Sequence, residues 1–170
     1  MSKGINLATE GHIVTLYYPV DVNGLAAAES PVVVCMKNYA HATIIVSIGA
    51  DGGIAASTIL VHAIDKQPTA TAHAAIAFRY YRYETSQIAA NGDVRGSLTW
   101  AVAATGIVPV ATTTPCMYVI ELDADELPQG YYGFRLAIGD PAAACVESAI
   151  AILTGPRYAD RNLTELSLYT

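Results

Sequence analysis

The 170-residue chain is long enough for one domain with a substantial core, and it carries a net charge of −6. Only 14% of its residues are charged and 53% are hydrophobic, whereas ordinary soluble proteins carry about 25% charged residues. The acidity argues against a partner that is gripped through its phosphates, such as nucleic acid.

The polar stretch from Met1 to His12 has no apolar run of the signal-peptide kind. The longest uncharged stretch, residues 96–120, is broken by Gly106, Pro109, Thr112, Thr113, Thr114 and Pro115. It reads as strand, turn, strand and not as a membrane span of ~20 apolar residues. With no membrane segment to absorb the apolar excess, part of it should be covered by other protein, although 29 alanines contribute to it without making sticky patches. Cys35, Cys116 and Cys145 are odd in number, far apart and without a CxxC pair. Reduced, buried thiols are expected, as in a protein made in a reducing cytoplasm.

Taken in chain order, the pattern has period two almost throughout. Residues 13–18 form an early strand, and the apolar run 32–36 a second. In residues 41–48, Ala42, Ile44, Val46 and Ile48 share one face, and the glycines at 49, 52 and 53 turn the chain. Residues 58–64 and 75–83 alternate again, the latter with Ile76, Phe78 and Tyr80 opposite Ala77, Arg79 and Tyr81. Leu98, Trp100 and Val102 alternate with Thr99 and Ala101. Residues 117–122 follow, then Tyr132, Phe134, Leu136 and Ile138 on one face, and a last strand at 146–153. A single helical turn is expected at residues 123–127, closed by Pro128 and Gly130.

About eight antiparallel strands at this spacing predict an all-β fold, a two-sheet, jelly-roll-like sandwich with one short helical turn. The expected layout is an N-terminal arm at 1–12, one sandwich domain at 13–154 and a C-terminal tail at 155–170. Tyr132, Phe134, Leu136, Ile138, Trp100, Ile44 and Val46 are the expected core.

The sequence offers little chemistry. His12, His41, His62 and His73 are scattered, with no HxH, no HExxH and no carboxylate at a fixed offset, so no metal site and no cofactor are expected. The acids Asp123, Asp125 and Glu126, with Asp140 further on, do not match a calcium loop and read as a polar turn. No GxSxG, no Ser/His/Asp signature and no phosphate-cradling loop is present, so the chain reads as no enzyme. The most unusual segment is Phe78-Arg-Tyr-Tyr-Arg-Tyr83. Interleaved Tyr and Arg suit a protein interface; they also suit a nucleic-acid platform, which the acidity disfavours, or a sugar-stacking surface.

Tyr118-Val-Ile-Glu-Leu-Asp-Ala-Asp-Glu-Leu127, Gly133-Phe-Arg-Leu136, Gly139-Asp-Pro-Ala-Ala-Ala144 and Gly155-Pro-Arg-Tyr158 form a set of structural motifs. With Ile59-Leu-Val-His62, Ala74-Ala-Ile-Ala-Phe-Arg79 and Trp100, they resemble the small virion proteins encoded beside the capsid genes of tailed bacteriophages. The resemblance runs from about Ala40 to Tyr158. It implies a jelly-roll cement or decoration protein, made in the bacterial host cytoplasm and carried on the outer surface of the phage head. Such a protein is non-catalytic; it binds the major capsid protein and itself, as a homo-dimer or homo-trimer, and ties neighbouring capsid subunits together. Ile5, Leu7, Arg79, Tyr81, Arg82, Tyr83, Arg157 and Tyr158 are the expected interface residues, with neither nucleic acid nor membrane as partner. The competing expectation is a carbohydrate- or receptor-binding sandwich of a phage tail or fibre.

Overall fold

The structure, a computed structural model, describes residues 7, 11–24, 28–29, 32–49, 58–65, 73–84, 94–109, 115–141 and 144–156. The elements among them are all strands. They are β1 (His12–Asp21), β2 (Ala28–Glu29), β3 (Val34–Cys35), β4 (Tyr39–Ile48), β5 (Ile59–Ile64) and β6 (His73–Ala75). β7 (Phe78–Glu84), β8 (Val94–Arg95), β9 (Thr99–Ala101), β10 (Cys116–Asp123), β11 (Gly133–Ile138) and β12 (Val146–Pro156) complete the set. β-branched and aromatic side chains fill these segments because they pack well on a pleated surface. In β4 the period-two rule is visible directly: Ala42, Ile44, Val46 and Ile48 are buried, while His41, Thr43 and Ile45 are half-buried on the other face.

The strands make two antiparallel sheets. The larger runs β1-β12-β4-β10-β7-β8, with β9 also on β7; the smaller runs β2-β11-β5-β6, with β3 also on β11. Counting β2 and β3 as one broken strand, and setting β7–β9 aside, eight strands remain. The sheets then read first-eighth-third-sixth and second-seventh-fourth-fifth, the strand order of a jelly roll. β7, β8 and β9 are an addition between the fifth and sixth strands that widens the larger sheet beyond β10.

One apolar core lies between the sheets, built from inward residues of both, including Ile44, Val46, Ile120, Leu122, Phe134 and Leu136. The expected core residues Ile44, Val46, Phe134, Leu136 and Ile138 are all buried there. β11 is buried on both faces. On its outer side the Arg135 guanidinium is hydrogen-bonded to His73 Nδ1 at 2.9 Å, and His73 stacks on His62 at 4.7 Å. All three cysteines are buried, and none of them is in a disulfide.

Three expectations are corrected. Trp100 is not core: it is 62% exposed. The ladder sets it opposite Arg79 on the outward face, and the inward position of β9 goes to Ala101. Tyr132 is 46% exposed; β11 begins only at Gly133, and Tyr131 packs against the core instead. The helical turn at 123–127 is a tight turn, closed by a hydrogen bond from Glu126 N–H to the Asp123 carbonyl (3.0 Å). The Glu126 carboxylate in turn accepts from Asp123 N–H (2.8 Å). A second tight turn follows at once, from Tyr131 N–H to the Pro128 carbonyl (3.0 Å), so no helical ladder is propagated.

A candidate binding face

The outward side of the larger sheet gathers most of what the sequence singled out. Because directly paired residues share a face, the ladders define its rows. One row runs Thr15, Ile150, Ile45, Val119, Tyr81 across five strands. The next runs Ile13, Ile152, Thr43, Glu121, Arg79, Trp100 across six. At about 4.8 Å per strand the second row is roughly 24 Å wide. Its centre is made of half-buried β-branched side chains, and Val119 is buried by its neighbours.

At the β7 end the surface turns aromatic. Tyr81 and Tyr83 meet edge to face at 5.3 Å, the Arg95 guanidinium lies 4.4 Å above the Tyr81 ring, and Arg79 lies 5.9 Å from the Trp100 ring. Such contacts hold the arginine planes in place at low entropic cost. Burial raises the Tyr81 pKa, with Tyr83 and Glu121 adding to it.

One end of the face carries a charged cluster. His41 Nε2 is 2.7 Å from Glu121 Oε2, and His41 Nδ1 is 2.6 Å from Asp123 Oδ1. Both ring nitrogens therefore donate, and the ring is an imidazolium. The Glu121 hydrogen bond is the chief cause that lifts its pKa to about 9; burial opposes and Asp123 assists. Arg79 closes the group, 2.6 Å from Asp123 and 3.4 Å from Glu126. The His41 hydrogen bond holds the Asp123 carboxyl below its ordinary pKa, with Arg79 contributing. For Glu121, burial works upward, but the hydrogen bonds from His41 and Thr43 (2.9 Å) together outweigh it and the pKa is lowered. Two cations thus offset three carboxylates. With both nitrogens committed, His41 has no lone pair with which to act as a base; the cluster cross-links β4, β10 and β7.

Of the residues expected at an interface, Arg79, Tyr81 and Tyr83 come together on this face. Arg82 does not join them, because the alternation of β7 turns it inward. There it hydrogen-bonds Cys116 and lines a cleft of about 240 Å³ with Tyr80, Ser97, Thr99 and Tyr118. Burial pushes the Cys116 thiol pKa up, against the pull of Arg82. Leu7 is exposed and lies against Gly11. Ile5, Arg157 and Tyr158 lie outside the described residues.

Sequence reasoning missed the His41 cluster. His41 stands about 80 residues from Glu121 and Asp123, and only the β4–β10 register brings them together. Among the described residues no group of three His, Cys, Asp or Glu side chains is placed to hold a metal. No protein-family model matches the chain, and no curated protein sequence matches it.

Proposed function

We propose that this protein is a non-catalytic structural component of a tailed-bacteriophage head, a cement protein that binds outside the shell and bridges neighbouring capsid subunits. The observation that carries the reading is the outward face of the larger sheet: broad, β-branched, aromatic at one end, and with His41 and Arg79 each paired to carboxylates. Such a face meets solvent poorly and protein well. The charge deficit of the whole chain points the same way. The motifs behind the phage resemblance lie mainly on β5, β6, β10, β11 and the end of β12, strands of the jelly roll, with Phe78, Arg79 and Trp100 on the added β7 and β9.

The test is addition of purified protein to heads that lack it. Binding should be saturable and should raise the temperature at which heads break. Tyr81→Ala with Tyr83→Ala should leave the chain folded and weaken attachment by about 1 kcal/mol or more for each true hot spot. Unaltered heat resistance and no attachment would sink the reading.

A second reading is favoured by the cleft beside β7. Tyr80 and Tyr118 offer aromatic surface, while Arg82, Ser97 and Thr99 offer polar groups, a combination suited to a sugar. A glycan-array screen with wild type and Tyr80→Ala decides it: saturable binding lost in the variant supports a carbohydrate-binding module, and silence removes it.

A further inference from the structure

No further inference is drawn: the strongest candidate, the exposed apolar patch of Leu98, Trp100 and Val102 along β9, belongs to the outward face already described, and nothing in the structure shows what covers it.

Discussion

β11 and β9 present the same signal in sequence, large apolar residues at every second position, and meet opposite fates. Phe134, Leu136 and Ile138 are sealed between the sheets, whereas Leu98, Trp100 and Val102 face solvent. The difference lies in the neighbours. β11 sits inside its sheet between β5 and the β2–β3 pair, under the opposing sheet. β9 is a three-residue edge paired only to β7, and its inward side is satisfied by Ala101. Periodicity identifies a face; the ladder decides whether that face looks in or out.

The largest test of this contrast is Phe134→Ala, which should lower the unfolding free energy by about 3–5 kcal/mol in urea titrations. A loss near zero would mean that β11 is not the centre of the core. Next comes Gly106→Ala, at the turn that follows β9. Gly106 has φ +59°, and an added Cβ would stand 2.2 Å from the Ile59 carbonyl oxygen. Left-handed strain and that clash should cost about 2–3 kcal/mol, read as a fall in Tm, because they lift the turn from β5.

A smaller effect is expected from pH. The folded chain binds the His41 proton more tightly than the unfolded chain, so this stabilisation is complete below about pH 6.5 and is lost as pH rises through about 9. The cluster is partly open to solvent, and screening reduces the loss to about 1–2 kcal/mol. His41→Gln should flatten the stability profile across that window; an unchanged slope would show that the imidazolium does not clamp β4 to β10. Toward the acid side, Asp123 and Glu121, whose pKa values are lowered, lose their contribution as pH falls through the carboxylate range. The smallest effect belongs to Trp100→Ala, which should alter the stability of the single chain by no more than about 0.5 kcal/mol. A loss as large as that of Phe134→Ala would erase the distinction between the two strands.

Much of the fold was legible in the sequence because β4, β10 and β11 carry unbroken alternation with β-branched and aromatic residues. Ile44, Val46, Phe134, Leu136 and Ile138 follow from it directly. Trp100 and Tyr132 do not, since the first lies on an inserted edge and the second just outside its strand. The candidate face was legible only in part. Arg79, Tyr81 and Tyr83 stand out locally, but Ile45, Ile150 and Ile152 look like core residues until the register puts them outside. The His41 cluster is a product of long-range pairing, and no local spacing signals it.

The position of β12 has a consequence in time. It lies between β1 and β4, pairing His12 with Leu153 and Ile48 with Glu147, so the last strand of the order is the inner neighbour of the first and third strands of the roll. During synthesis, β4 leaves the ribosome roughly 100 residues ahead of β12, on the order of 5–20 s earlier. Neither of its ladder partners exists yet, since β10 is also late. The uncharged run from Ala42 to Ile48 must therefore wait, with both edges open, for strands made long after it. Folding should be slow for the size of the chain, and β4 is the segment a chaperone would have to shield.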